Sequence, residues 1–510
     1  MKLLNSQDLI AAGYEPGPIF KELLAKVAGY EARGIADPKY ALKLLKRDVL
    51  PPPPKHVMRD APAALAEAIV PETKDERQNV DAVRRQMRQL LKTPVIARGV
   101  ILPDACPAGS AEAVIPVGGA IAVENAIIPS AHSADVCCSM FATFYEERSG
   151  VAKELDALVS STRFGPGHRH FDDLVHDPVL DEDAWGNRFL SGLRDHARTQ
   201  LADQGDGNHF AYLGEVEVDA TMLAKLRLAG HGDLSGRFEK PGRYRVLVTH
   251  HGSRGLGAHV FKRGRIAAEK HVARVSRHIP AAAAWLDAKS DTGRDYWDAL
   301  QYVARWTKAN HRAIHRRFLE RIGGRSVAEV GNEHNFVWRR GDTFLHGKGA
   351  TPAWKDEQGR PRLGLIPLNM AEPILLVLGG DRDEFLSFAP HGAGRNLSRT
   401  AMKRKFPDEA SRRQAIERST AGIDVRWFCG RPDLSETPLA YKNAAQVRAQ
   451  IREFGLAEIV AEIRPLGCVM AGDSGRAWRG REEELTPKQK RQIEHRAERR
   501  RVRRDLRDEA

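Results

Sequence analysis

Five side chains able to hold a transition-metal ion lie in short motifs flanked by turn residues. They are Asp135 and Cys138 in SADVCCSM, His209 in GDGNHF, His250 in THHGSRGLG and His334 in EHNF. Imidazole, thiolate and carboxylate together suit Mn, Zn, Fe or Co better than Mg or Ca. A further histidine, His391, opens HGAGRNLSRTAMKR after the apolar run EFLSFAP. There the amides of Gly392, Ala393 and Gly394 and the guanidiniums of Arg395 and Arg399 suit a phosphate. An imidazole beside a phosphate cradle can attack phosphorus and carry it covalently. Each residue taken alone has a plainer reading. His391 could cap a turn, the other histidines could be hydrogen-bonded core residues, and Asp135 and Cys138 a solvated turn acid and a buried thiol. Three histidines at strand ends beside glycines, two of them next to Asn208 and Asn335, together with the Asp135/Cys138 loop, form a coherent ligand set.

The elements that must position these groups follow from composition. From Thr93 to Tyr145 short β-branched runs alternate with Gly, Pro and Ser, which is strand-and-loop composition, and Asp104 sits in one of these loops. Apolar strands are expected after His209, before His250 and around His334, with His346 and Lys348 in a second glycine loop. Residues 1 to about 50 read as a small helical unit, in which Ile19, Phe20, Leu23, Leu24 and Val27 recur at helical spacing after the turn GYEPGP. Pro51 to Pro54 make a stiff linker. A charged helix is expected over Ala63–Leu91 and long helices over 259–323, where Tyr296, Leu300, Val303 and Trp306 form an apolar stripe. Arg312, Arg316 and Arg317 lie on the polar part of that segment, as an RNA-facing strip or a solvated face. The tail from Asp473 to Ala510 is charged, arginine-rich and expected to be helical.

The chain has 510 residues, a net charge of +13 and a pI near 9.5, which suits a polyanionic partner such as nucleic acid. Its five cysteines do not form a secreted-type disulfide framework. The polar N-terminus is unlike a signal peptide, and no apolar run is long enough to span a bilayer. A reducing, cytoplasmic setting is expected.

The ordered set LPDACPAG, SADVCCSM, GDGNHF, HHGSRGLG, EHNF, HGKGAT, HGAGR, ETPLAYK and RPLGCVMAG resembles the RtcB family of RNA ligases, over roughly Pro94 to Gly472. The resemblance implies an α+β fold with central β-sheets surrounded by helices. The expected organisation is a helical extension and linker over 1–54, an RtcB-like catalytic domain over 55–472 and a charged helical tail over 473–510. It further implies a GTP- and manganese-dependent ligase, acting as a monomer, that joins RNA ending in a 3′-phosphate or 2′,3′-cyclic phosphate to RNA with a 5′-hydroxyl, in RNA repair or tRNA splicing. Carried over residue by residue, Asp135, Cys138 and His209 would bind one Mn²⁺. Cys138, His250 and His334 would bind a second, with the thiolate bridging. His391 would be the nucleophile that takes GMP from GTP. Asn208, His209, Phe210, Asn335 and the loop His391, Gly392, Ala393, Gly394 would contact the nucleotide, and Lys348 and Arg395 its phosphates.

The chain departs from the family pattern at several places. Cys106 stands where the family carries a histidine, and Cys137 and Ser139 replace glycines beside the metal cysteine. Gly347 replaces an arginine. PLNMAEPI replaces a Gly-Ser-rich nucleotide loop, which changes Leu368, Asn369 and Ile374. Met470 stands at the lysine that contacts guanine, so strict use of GTP does not follow from the resemblance. Two other classes of function remain in play. One is a metal-dependent phosphodiesterase or phosphatase on RNA ends without nucleotidyl transfer; the other is a non-catalytic RNA-binding protein.

Overall fold

The structure is a computed structural model that describes residues 3–14, 16–51, 56–109, 113–165, 167–276 and 278–473. The expected Pro51–Pro54 linker lies almost entirely outside the described residues, as does the expected helical tail apart from Asp473. The chain divides into two compact units. One contains the N-terminal residues to Val57 with Lys270–His278, and the other Met58–Glu269 with Ile279–Asp473.

The first unit holds three helices, Ser6–Ala12, Ile19–Glu31 and Pro38–Asp48. Asn5 starts the first through a capping box with Asp8, and Asp37 caps the third with proline in its first turn. Leu9, Leu23, Val27, Tyr30, Ala41 and Leu45 bury their side chains between the helices.

The second unit is mixed α+β and contains two main sheets. The smaller runs in the order Ala64–Glu67, Ile96–Cys106, Val117–Glu124, Thr343–Lys348, Asn335–Arg340. The larger runs in the order Ala328–Glu333, Ser139–Tyr145, Gly242–His251, Phe210–Val218, Ala457–Met470, Ile374–Gly379, Leu363–Pro367. Its two ends are tied by one side chain. The Asn332 amide accepts from Leu365 N at 2.8 Å and donates to Thr351 Oγ1 at 2.6 Å. A carboxamide here does the work of a ladder between edge strands that would otherwise be open.

The long helix Asp291–Ile322 packs against the larger sheet, burying Tyr296, Trp306, His311, His315 and Phe318. The helix expected over Ala63–Leu91 is shorter. Ala64–Glu67 is instead a strand paired in parallel with Arg98–Ile101, and the helix spans Lys74–Leu90, opened by a Thr73/Glu76 capping box. Four residues are too few to show a strand period, and Pro71 stops the helix from reaching further back. His346 and Lys348 lie in a strand rather than a loop, with Val337 opposite His346 in the register.

Candidate active site

Register brings the ligand residues together. In the larger sheet Met140 pairs with His250, His250 with Phe210, and Glu333 with Ser139. Antiparallel neighbours therefore present four chain ends at one edge: Cys138 before its strand, His209 before Phe210, His250 near the close of its strand, and His334 just after Glu333. Asp135 joins them from the tight turn before Cys138. In that turn Cys137 has φ +57°, in the left-handed region that favours glycine, which gives a physical reason for the glycine expected there. Gly252 is required for space, because a Cβ there would lie 1.9 Å from Asp135 Oδ1.

Two overlapping ligand sets result, Asp135–Cys138–His209 and Cys138–His250–His334, with Cys138 common to both. Cys138 Sγ lies 3.2 Å from His250 Nε2 and 3.6 Å from His209 Nε2. His209 Nδ1 faces the Gln204 carbonyl at 2.9 Å, and His250 Nδ1 faces the Asn208 carbonyl at 3.2 Å. These acceptors place the proton of each neutral ring on Nδ1, so both Nε2 lone pairs point into the cluster. There His209 Nε2 meets Asp135 Oδ2 at 2.8 Å, and His250 Nε2 meets His334 Nε2 at 3.0 Å. A cation at the centre of each set would take up these converging lone pairs, and the donor types fit a transition metal.

Burial and crowding shift these groups in different directions. Burial, with the charges of His209 and His391, pushes His250 down to about 3, and His334 is held well below its ordinary value. Burial and the neighbouring Asp135 carboxylate push the Cys138 thiol well up. Burial alone would raise Asp135, but the adjacent His209 outweighs it and brings the carboxyl down to about 2.

His391 stands beside this cluster, its ring centroid 4.9 Å from that of His334. It follows the strand Phe388–Pro390, and the next helix begins only at Arg399 behind its own Ser398 cap, so no helix N-terminus lies at the turn. His391 Nδ1 contacts the Asp104 carboxylate closely and the Gly349 carbonyl at 3.0 Å. Both partners are acceptors, so Nδ1 carries the proton and Nε2 is left as a base or nucleophile. Asp104 is fully buried. Gly349 has φ +66°, and a Cβ there would come within 2.9 Å of His391 Nδ1. Its amide donates to Asn335 Oδ1 at 2.8 Å, so Asn335 fixes the loop that orients His391. Among the described residues, the amides of Gly392, Ala393 and Gly394 have no hydrogen-bond partner.

A cavity of about 300 Å³ opens over His250 and His391, lined among others by Asn208, Phe210, Asn335, Lys348 and the His391–Arg395 loop. Lys348 is half-buried there, donates to the Ile115 carbonyl at 3.2 Å and is pulled below its ordinary value by desolvation. Arg395 is engaged: it pairs with the buried Glu436 at 3.3 Å, donates to Ser435 O at 2.6 Å and stacks over Tyr441. Another stretch of the wall is apolar, made by Phe210, Leu368, Met370, Ile374 and Met470.

A sequence model described as tRNA-splicing ligase RtcB matches residues 182–471, more than half of the chain. The chain belongs to the RtcB family. An Escherichia coli relative named RNA-splicing ligase RtcB2 is 28% identical over 397 residues, covering 75% of this chain and 90% of that protein. A Thermococcus kodakarensis relative named tRNA-splicing ligase RtcB is 25% identical over 467 residues, covering 77% and 92%. An Aeropyrum pernix relative of the same name is 26% identical over 298 residues, and there the match spans 59% of the relative's length.

Sequence reasoning missed several residues that support this RtcB-family site. Asp104 was noted for its loop but not joined to His391. Lys442, in ETPLAYK, donates to the Pro103 carbonyl at 2.7 Å and so pins the end of the strand Ile96–Cys106, which carries Asp104 in place of the expected loop. Glu436, in the same motif, holds Arg395, Arg399 at 2.7 Å and Tyr441 at 2.9 Å. The motif was visible, but nothing in its spacing said which residues it would meet. His346 lies apart from the ligand sets, accepting from Ile128 N at 3.0 Å.

Proposed function

We propose that this chain is a GTP- and manganese-dependent RNA ligase that joins a 3′-phosphate or 2′,3′-cyclic phosphate end to a 5′-hydroxyl end through a guanylylated His391. The observation that carries this reading is the Asp104–His391 pair placed beside two ligand sets sharing Cys138. The printed names of the relatives, RNA- and tRNA-splicing ligases, favour RNA as substrate.

Asp135, Cys138 and His209 would hold one Mn²⁺, and Cys138, His250 and His334 a second. When bound, such a pair neutralises phosphate charge and acts as a Lewis acid. The protein's own groups do the rest. Asp104 and the Gly349 carbonyl hold the Nδ1 proton, so His391 attacks through Nε2. As the Nε2–P bond to the α-phosphorus of GTP forms, the bond to pyrophosphate breaks. Positive charge develops on the imidazole, and buried Asp104 stabilises it, as a carboxylate does for a catalytic histidine elsewhere. A cyclic end is first hydrolysed by water to the 3′-phosphate and a 2′-hydroxyl. The RNA 3′-phosphate then takes GMP from His391, and the 5′-hydroxyl displaces GMP to close the phosphodiester.

The amides of the Gly392–Gly394 loop and Lys348 would meet nucleotide phosphates. Asn208, Phe210 and Asn335 would contact the nucleotide. Arg395 would do so only by sharing its guanidinium with Glu436. None of the five cysteines is in a disulfide, which fits a reducing compartment such as the cytoplasm. Among the described residues no helix is long and apolar enough to cross a membrane. All the groups named come from one chain, so a monomer suffices.

The test is incubation with each α-³²P-labelled nucleoside triphosphate and Mn²⁺. Wild type should acquire an acid-labile protein-bound label with GTP, and His391→Ala none. Absence of label with every nucleotide would overturn ligation. The apolar wall at Met370 and Met470 favours a second reading, a metal-dependent phosphodiesterase or phosphatase without nucleotidyl transfer. In that case cyclic ends would open without GTP, and His391→Ala would keep the activity.

A further inference from the structure

The N-terminal helical unit lies outside the family-model match, which begins at residue 182. Its third helix, Pro38–Asp48, has two faces of different chemistry. Ala41 and Leu45 are fully buried, with Leu42, Leu44 and Val49 packed against the same core. The opposite face carries Lys39, Tyr40, Lys43, Lys46 and Arg47. Tyr40 is 51% exposed and the Arg47 side chain 72% exposed. Tyr40, Lys43 and Arg47 fall at i, i+3 and i+7, so a tyrosine ring and two cations share one stripe.

Of the acids on this segment, Asp37 is turned to local work, whereas Asp48 also pairs with Arg47, which would share its guanidinium with a phosphate. Asp37 caps the helix by accepting from Lys39 N at 2.9 Å. Asp48 accepts from Tyr30 Oη at 2.7 Å as well as from Arg47 at 3.0 Å. A tyrosine gains stability by burying its ring, and one held in water among cations has that stacking surface available to a ligand. Unpaired bases stack on such rings while lysine and arginine take the flanking phosphates. A membrane surface fits less well. The apolar face of this helix is already used inside the unit, and the other exposed large apolar side chains among its described residues, Ile19, Leu50 and Val57, lie on separate segments.

We propose that the stripe Tyr40–Lys43–Arg47 is an RNA-binding site, separate from the cavity at His391, that takes an unpaired segment by stacking one base on Tyr40 and pairing phosphates with Lys43 and Arg47. The proposal does not depend on ligase chemistry, and its test reads binding alone.

Full-length protein is titrated without nucleotide or added metal into a fluorescein-labelled, mixed-sequence single-stranded 20-nucleotide RNA, at several salt concentrations. Tyr40→Ala is expected to weaken binding about tenfold, and Tyr40→Phe to keep it, because the ring rather than the hydroxyl stacks. Lys43→Ala with Arg47→Ala is expected to make the log–log salt dependence shallower by about 1.4, that is, about 0.7 for each lost phosphate contact. The altered residues lie on the surface, so circular dichroism should show every variant folded. Unchanged affinity and salt slope in all folded variants would overturn the site. So would a loss confined to the charge variant with heparin competing as well as RNA, since that marks general polyanion attraction. Binding of phosphatidylserine vesicles in place of RNA, lost with Tyr40→Ala, would overturn it in favour of a membrane.

Discussion

At the residue scale the decisive pairing is Asp104 with His391. A buried carboxylate that fixes the tautomer of a nucleophilic imidazole acts on rate rather than on binding. Asp104→Asn is therefore expected to slow nucleotide labelling by about two orders of magnitude or more while bound metal stays unchanged. Equal labelling rates in the two proteins would show that Asp104 only packs. Cys138 makes a second prediction. Burial holds its thiol protonated well above the ordinary range, so metal uptake must displace that proton. Mn²⁺ or Zn²⁺ affinity should rise as pH increases from 6 to 8, and calorimetry in buffers of different ionisation enthalpy should register proton release. Cys138→Ala should abolish uptake at both ligand sets, because they share this sulfur.

At the element scale the helix Asp291–Ile322 is the back wall of the site. His311 reaches Ser139 Oγ at 3.0 Å and Thr249 Oγ1 at 2.6 Å; His315 reaches Thr143 Oγ1 at 2.7 Å and Thr249 Oγ1 at 2.8 Å. These hydroxyls sit on the strand that follows Cys138 and the strand that carries His250, and Ser139 and Thr249 directly adjoin those two residues. Removing the His311 ring would strip the buried Ser139 hydroxyl of this partner, leave Thr249 with His315 alone, and open a cavity. His311→Ala is expected to cost about 3 kcal/mol in chemical denaturation. It should also weaken metal affinity, because the two strands lose a shared brace. The apolar stripe of this helix was legible as core. The roles of His311 and His315 were not, because their partners are hydroxyls more than 60 residues away in sequence.

Across the whole molecule, several imidazoles are buried neutral away from the metal ligands. Burial lowers His132 to about 4 and His315 and His346 to about 3. Below pH 6.5 the unfolded chain binds protons that these folded sites refuse. Their contribution is therefore complete above pH 6.5 and is lost as pH falls toward the folded values. Each removes about 1.4 kcal/mol per pH unit across that window. The denaturation midpoint should fall steadily from pH 7 to 5, and a flat profile would contradict the buried neutral state. The division of the chain gives one more expectation. Both ligand sets, Asp104 and His391 lie within Met58–Asp473, so a chain lacking residues 1–57 should keep its metal and its label. Loss of both in a folded truncation would show that the N-terminal unit completes the site.

The sequence by itself determined the types of the ligands, their placement at strand ends and the glycine turn after the strand that leads to His391. Those depend on local chemistry: β-branched runs, glycine turns and side-chain softness are written within a few neighbours. It also determined that the N-terminal segment is helical, through helical spacing after a Gly-Pro turn, while its division into three helices came from the structure. It could not say that Ala64–Glu67 would be a strand, since four residues gain their structure only from the partner Arg98–Ile101. Nor could it join Asp104 to His391, Lys442 to the Pro103 carbonyl, or His311 to Thr249. Those pairs are fixed by strand register and sheet closure. Register depends on which faces can be buried together, and that is a property of the whole folded chain.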